Sequence, residues 1–306
     1  MANEITYSSI ADLRTAEALS AEFLMLLADR NALPNHPALV YAGRGNGLGS
    51  SVIKVPEVGL GGYDLLASTG DGSAVANSAL TDGAATVTIA RYSKSYEPTD
   101  LALLTDPATG MIKPSAFAMD ALVSQSLTLT SLVANVGDDF AATVGSTGVD
   151  MTIANFLSAI STLEVAKVAP GYLSILHPVQ IGDLRSALLS VGGAVQWMDA
   201  SKEQMEMLGG GYRGKFMGVD IFSSSYVPTK NSGADRGGCM FGRGAIVWAD
   251  AAPPPAGDAN QIVIGNSVLF ERSRTAKNGL TAYVTHAYMG VSLGIDAAGV
   301  AIITDA

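Results

Sequence analysis

The chain has 306 residues, 48% hydrophobic and 15% charged, with 18 Lys and Arg against 28 Asp and Glu for a net charge of −10. That is enough apolar material for one elaborate domain or two subdomains, and the acidic balance excludes nucleic-acid binding carried mainly by phosphate neutralisation, which needs clustered cations. The single cysteine, Cys239, excludes an intrachain disulfide and suits a reducing cytoplasm, while the acidic N-terminus (Glu4 and Asp12 before Arg14) and the polar interruptions of the longest charge-free helical run, 121–137, read as a soluble protein without a secretory signal.

Residues 1–8 read as extended. Ser9 with Asp12 resembles a capping box, Asp standing in for Glu or Gln, and opens a helix over 10–29 with Leu13, Phe23, Leu24 and Leu27 among its apolar positions. Pro34 and Pro37 end it. Alternating glycines at 43, 45, 47 and 49 predict a hinge. Two β-like runs follow. Residues 51–58 carry Val52, Ile53 and Val55, with Lys54 among them and Pro56 suited to an edge. Residues 86–96 carry Val87, Ile89 and Tyr92, interspersed with Arg91 and Lys94, cations of the kind that discourage wrong pairing on exposed strands. Between them, 59–85 holds six glycines and shows neither helical nor strand period. An irregular stretch of that length is uncommon inside a compact domain and is usually functional or disordered. Strands reaching outward around it leave backbone groups unpaired, which predicts an arm that finds its burial on a neighbouring subunit. Composition alone favours a plain surface loop by roughly two to one, and the order of the elements around the insert tips the reading to the arm.

Residues 99–114 read as a connector and 115–136 as one helix of roughly 33 Å at about 1.5 Å per residue. Phe117, Leu122, Leu129, Leu132, Val133 and Val136 supply its apolar contacts, and its other positions are small or hydroxylated. Residues 145–150 break the pattern. A helix over 152–168, a turn at Pro170-Gly171, a buried-type strand over 172–176 and a helix over 179–189 follow, with Pro178 in the first turn of that helix. A short helix, 201–208, stops at the glycines 209–211. Strands are predicted over 216–223, 239–249, 261–270, 281–293 and 300–304, with an exposed loop at 253–255. No solenoid or propeller period is present, and the mixture of runs indicates an α+β fold.

The motifs that carry chemistry elsewhere do not carry it here. Gly290, Ser292 and Gly294 match the spacing of a nucleophile elbow, but no His follows Ser292 and the flanks read as one strand. Gly209 to Gly214-Lys215 has phosphate-loop spacing, but Phe216 stands where Ser or Thr would hold magnesium. His36, His177 and His286 have no metal-type spacing. His177 at a strand-to-helix junction reads as structural, and Asp138-Asp139 reads as a solvated turn. No catalytic, cofactor or metal residues are assigned. Arg213, Lys215, Arg236, Arg243, Arg272, Arg274 and Lys277 crowd the second half. They read as intersubunit ion pairs that set register. A DNA-facing patch and solvated surface charges are the alternatives.

In this order the elements resemble the major capsid protein of tailed double-stranded DNA phages, the Hong Kong 97-type fold. The likeness covers nearly the whole chain. Its more specific segments are Ser174-Ile175-Leu176-His177-Pro178, Gly214-Lys215-Phe216-Met217-Gly218-Val219-Asp220-Ile221 and Val268-Leu269-Phe270-Glu271-Arg272. The resemblance implies an N-terminal arm and helix (1–50), an extended β-hairpin loop (51–96), a peripheral domain with a long spine helix (97–149), an axial domain (150–252) and peripheral return strands (253–306). It implies a non-enzymatic shell of hexamers and pentamers in the virion, assembled in the host bacterial cytoplasm, with a scaffolding protein, a portal and decoration proteins as partners. Packaged DNA would lie on the inner face without sequence-specific binding, with no membrane and no cofactor. Lys54, Arg91, Lys94, Arg272 and Arg274 are the candidate intersubunit contacts. Lys54 lies in the arm, but no partner Asn or catalytic acid matches the crosslinking chemistry of some members. An encapsulin-like bacterial compartment, of similar fold and enclosing an enzyme, is the alternative reading.

Overall fold

The protein is described by a computed structural model over residues 4–5, 33, 36–45, 51–60, 80–104, 114–190, 197–208, 211–253, 261–264 and 268–305. The helix expected over 10–29, most of the insert (61–79) and glycines 47, 49, 209 and 210 lie outside the described residues.

In chain order the elements are β1 (Glu4–Ile5), β2 (Leu39–Arg44), β3 (Val52–Leu60), β4 (Leu80–Thr88), β5 (Ala90–Pro98), α1 (Asp100–Leu104), α2 (Pro114–Gly137), β6 (Thr143–Gly145), α3 (Ile153–Val165), β7 (Leu173–Leu176), α4 (Pro178–Ser190), β8 (Trp197–Met198) and α5 (Lys202–Leu208). Then come β9 (Tyr212–Phe216), β10 (Val219–Ser223), β11 (Thr229–Lys230), β12 (Asp235–Phe241), β13 (Ile246–Asp250), β14 (Gln261–Ile264), β15 (Val268–Thr275), β16 (Leu280–Leu293) and β17 (Gly299–Asp305). Among the described residues one sheet runs β1-β5-β16-β13-β2, with β15 on β16 and β14 on β15. A second runs β6-β17-β12-β7-β10-β9-β8, with β11 on β12, and β3 with β4 forms a separate two-stranded ribbon.

The long helix α2 has 24 residues, one more at each end than expected. Its buried positions, Asp120, Val123, Leu127, Thr130 and Ala134, recur at three- and four-residue steps and face the body, joined by Leu129 and Val133. The hydroxyls do not compete for partners: Thr128 and Thr130 donate to the carbonyls of Ser124 and Ser126 one turn back. Gly137 lets the last turn lie against Cys239, where a Cβ would overlap the thiol. The core that α2 closes is continuous. It joins Val268, Ala287 and Met289 of the first sheet to Leu173, Ile175, Phe222, Cys239 and Phe241 of the second. The opposite face of the second sheet buries Leu176, Ile221, Met240, Val300 and Ile302 under α3 and α4, with Phe156, Leu163 and Leu184. A sheet covered on both faces explains why β7 reads Leu-Ser-Ile-Leu with all four residues buried, not as an alternating strand.

Several expected strands divide, each at a turn that sequence periodicity passes over. The run 216–223 is a hairpin: Met217 and Gly218 both have positive φ, the geometry of a two-residue type I′ turn between β9 and β10. The run 239–249 divides at Gly242–Gly244 into β12 and β13, which belong to different sheets. The run 86–96 divides at Ile89, β4 staying in the ribbon and β5 joining the first sheet. The run 261–270 divides into paired β14 and β15. Leu39–Arg44, expected only as a breaker and hinge, is a strand parallel to β13. The chain's last strand, β17, pairs with β12 and β6 of the second sheet, while β13 pairs with β16 and β2 of the first.

Polar ties hold this arrangement. His177 caps α4: its N–H donates to Gln180 Oε1 (3.0 Å) and its Nδ1 accepts from the N–H of Val179 (3.3 Å). Burial, then the nearby Arg236 charge, push His177 below its ordinary value, which fits a neutral capping imidazole. Gln180, fully buried, donates from Nε2 to Thr304 Oγ1 (2.8 Å) and to the carbonyls of Arg236 (3.2 Å) and Ile302 (3.4 Å). Asp138 is not a solvated turn. Its side chain is 7% exposed and pairs with Lys230 at 2.7 Å, and burial raises its carboxyl above the ordinary range. Asp220 accepts from His36 Nε2 (3.3 Å), the Tyr212 hydroxyl (2.8 Å) and Lys215 Nζ (3.3 Å). Burial pushes that carboxyl up, but the three donors outweigh it and hold it below its ordinary value.

A carboxyl depressed in the folded state contributes stability above its unfolded pKa, about 3.9 for Asp, and loses it as pH falls through the folded value. Thermal melts of Asp220→Asn against the parent are therefore expected to differ near neutral pH and to converge as the solution is acidified below the carboxylate range. A gap that widens on acidification is the contrary result. Gln180→Leu leaves the His177 N–H and two carbonyls without their buried partner and is expected to cost about 2–3 kcal/mol, read from the urea midpoint.

Candidate functional site: an assembly surface

The two-stranded ribbon is built from the residues upward. Pairing runs without a bulge from Val52 opposite Thr88 to Leu60 opposite Leu80. Period-2 alternation puts Ile53, Val55, Ala85 and Val87 on one face, and these pack on Val40, Ala42, Val247 and Ala249 of the first sheet with Ile89 beside them. Burial falls away along the return strand: Val87 is fully buried, Ala85 partly, and Gly83 and Ala84 are exposed. The ribbon is anchored at its root by this cluster.

The root is clamped by backbone approach and by a polar trio. Gly290 of β16 lies beneath β4, where a Cβ would overlap the carbonyl oxygen of Thr88. Ile89 N–H donates to Ser51 O (2.8 Å), and Gly45 N–H donates to Asp250 O (2.8 Å). Gly43, at φ +119°, takes a conformation L-residues avoid, just before this clamp. The Asp250 side chain accepts from Arg44 Nη2 (2.9 Å) and from the Tyr41 hydroxyl. Burial first and the Asp250 bond second push that phenol up to about 12. Sequence reasoning missed this trio because Tyr41 and Arg44 stand more than 200 positions from Asp250 and meet only through the parallel pairing of β2 with β13.

The five predicted contact residues do not converge on one point. Lys54 is exposed on β3 opposite Thr86. Arg91 is exposed on β5 and Arg272 on β15, strands that both pair with β16. Two of the five are engaged within the chain. Lys94 Nζ donates to Asp120 (2.5 Å) and Ser124 (3.3 Å) of α2 and lies 5.0 Å from the centre of the Tyr96 ring, whose hydroxyl also donates to Asp120. Arg274 pairs with Asp100 at 2.8 Å, both well exposed, so the pair contributes little stability.

The motif glycines serve packing. Gly290 admits Thr88, Gly294 admits the carbonyl of Gly244, and Ser292 sits within β16 opposite Val247, with no strand-to-helix turn to expose it. Gly214 and Lys215 lie in β9, and Gly214 passes under the carbonyl of Met198. The structure does bring together a Ser, a His and a Glu that no motif announced: Ser93, His286 and Glu271 lie on adjacent strands of the first sheet. Among the described residues no group of three or more His, Cys, Asp or Glu is placed to hold a metal, and no helix is long and apolar enough to cross a membrane.

No protein-family model matches the sequence, and no curated protein matches it. Solved structures do. The capsid of cyanophage P-SCSP1u is similar at TM-score 0.56 and 12% identity, over 90% of this chain and 88% of that one. The acid-stable capsid of Helicobacter pylori bacteriophage KHP30 is similar at TM-score 0.55 and 12% identity, over 88% of each chain. The holo-SrpI encapsulin complex of Synechococcus elongatus is similar at TM-score 0.60 and 11% identity, over 98% of this chain and 95% of that one. The fold is thus the α+β fold of phage capsid subunits, the Hong Kong 97 type, shared with an encapsulin.

Gly290→Ala forces the ribbon root off β16, an overpacking cost of about 1–3 kcal/mol. Hydrogen exchange is expected to speed up at 52–55 and 85–88 while β7 and β12 keep their protection. Unchanged exchange at the root would mean that Thr88 does not need the space the glycine leaves.

Proposed function

We propose that this chain is the major capsid protein of a tailed double-stranded DNA phage, a structural subunit that self-assembles as hexamers and pentamers into the icosahedral or prolate shell around the genome. The observation that carries the reading is the ribbon: hydrophobically anchored at one end, exposed at Gly83 and Ala84, and attached to a body whose fold matches phage capsid subunits over most of both chains. A two-stranded hairpin is marginal by itself in water. Its outer part gains burial when it lies across a sister subunit, and contacts repeated over many neighbours make a shell that is hard to dissociate.

In this reading the first sheet is the peripheral domain, the second the axial domain, and α2 the spine that joins them. The role is non-enzymatic. Lys54, Arg91 and Arg272, exposed on the ribbon and first sheet, are the stronger candidates for contacts between subunits. Lys94 and Arg274 must give up or share Asp120 and Asp100 to take part. The net charge of −10 limits adhesion of DNA to the inner face and so favours packing and release. A separate scaffolding protein, a portal and decoration proteins are the expected partners, with assembly in the host cytoplasm and the virion capsid as the final location. The encapsulin likeness, which spans 98% of this chain, supports a second reading as a compartment shell.

Cryo-electron microscopy of the purified recombinant chain tests the proposal: closed shells are expected. Replacing residues 59–85 by a short turn is expected to leave a soluble, folded subunit that forms no regular shells. Normal particles from that variant would refute the ribbon's role. Particles isolated with the natural companion proteins separate the two readings, DNA inside supporting the phage and enzyme cargo the compartment.

A further inference from the structure

The turn that joins β15 to β16 belongs to neither the shared core nor the ribbon. It runs Ala276-Lys277-Asn278-Gly279. Asn278 N–H donates to Thr275 O (3.2 Å), and Thr275 pairs with Leu280 in register. Ala276, Lys277 and Asn278 are exposed, and Gly279 is partly so. Gly279 stands at φ +58°, a left-handed conformation that favours glycine. Its carbonyl accepts from Asp100 N–H (2.7 Å). Among the described residues, neither the Gly279 N–H nor the Asn278 side-chain amide has a hydrogen-bond partner. Asn231, also exposed and in a turn, differs on two counts. Its amide donates to Asp235 Oδ2, and the residue after it, Ser232, carries a Cβ. Asn135 differs again: it lies within α2, where the N–H that follows it is engaged in the helix ladder.

We propose that Asn278-Gly279 is a spontaneous modification site, at which the folded chain converts its own asparagine to aspartate and isoaspartate. The Gly279 nitrogen gives up its proton to hydroxide and forms a bond to the Asn278 side-chain carbonyl carbon. The bond from that carbon to the amide nitrogen breaks, and the nitrogen leaves as ammonia. The product is a succinimide ring. Water then opens the ring. Attack at the former side-chain carbonyl leaves aspartate, and attack at the main-chain carbonyl leaves isoaspartate, with one more carbon in the backbone. No redox change occurs, and water is the only co-reactant. Three features favour the step here. The reacting atoms are held in one short segment, Gly279 has no side chain to crowd its nitrogen, and that nitrogen has no hydrogen bond to surrender among the described residues. Either product adds a carboxylate next to Lys277 and one residue from Gly279, against which the Asp100 side chain packs. Asp100 in turn holds Arg274 at 2.8 Å, so the new charge falls beside an existing ion pair of the hairpin. The site does not depend on the shell reading.

The intact purified chain, incubated in mildly alkaline buffer and sampled by peptide mass spectrometry, tests this. Position 278 is expected to lose its amide ahead of Asn135, Asn155 and Asn231, as a mixture of aspartate and isoaspartate. The loss should speed up as pH rises, because the attacking nitrogen must shed its proton. An acidic satellite on ion exchange should grow in step. Asn278→Gln, whose longer side chain must close a larger ring, is expected to remove the conversion at 278. Gly279→Ala, which crowds the nitrogen, is expected to slow it. Should that variant fail to fold at the left-handed position, Asn278→Gln and the ranking in the parent chain decide. Asn46, followed by Gly47, reports the same chemistry in the same sample. Position 278 keeping its amide while Asn46 or Asn231 converts, conversion at 278 only in urea-unfolded chain, or a rate indifferent to pH overturns the proposal.

Discussion

The structure depends on one shared core. Helix α2 lies where two sheets of different topology meet, and its buried stripe touches both. Each fully buried Val or Leu there contributes roughly 1.5–3 kcal/mol against exposure, an upper figure because the unfolded chain already hides some apolar surface. Side chains of the two sheets interlock through the same cluster, so neither sheet can shift without opening a void in a close-packed interior. The body behaves as one unit, and whatever motion the chain supports belongs to what is attached to that body.

The ribbon meets that description. Its anchor is a small satellite cluster separate from the shared core, with Val87 buried, Ala85 partly buried, and Gly83 and Ala84 exposed. The polar trio of Tyr41, Arg44 and Asp250 secures the strand that leads into it, and the His36–Asp220 bond ties the start of that strand to the second sheet. In the proposed assembly, that firm root is what would carry load from the ribbon to the body. The same sheet that anchors the ribbon pairs Ser93 with His286, whose side chains are hydrogen-bonded across the strands.

Much of the architecture was legible in the chain. The extent of α2 follows from its long charge-free helical run, β7 and β16 from their apolar strand-like runs, and α4 from Pro178 in its first turn. The likeness to capsid subunits rested on the order of these elements, and the fold bears it out at 12% identity or below in the three structures compared. The failures share a cause. Runs such as 216–223 and 239–249 are apolar on both sides of a turn whose signal is a pair of positive φ angles or a glycine pivot, and a window that sums hydrophobicity sees one strand.

The sequence by itself placed most of the described helices and many of the strand runs, and determined that the chain is acidic, has a single cysteine and carries a long glycine-rich insert between two strand-like runs. These are local properties, set by side-chain period and composition over a few turns or a few residue pairs. Only the tertiary structure decided that β13 joins the first sheet and β17 the second, that Lys94 is committed to Asp120, and that Ser93 meets His286. Those facts depend on which strands become neighbours. That choice is made by burial summed over the whole chain, and it brings together residues nearly two hundred positions apart.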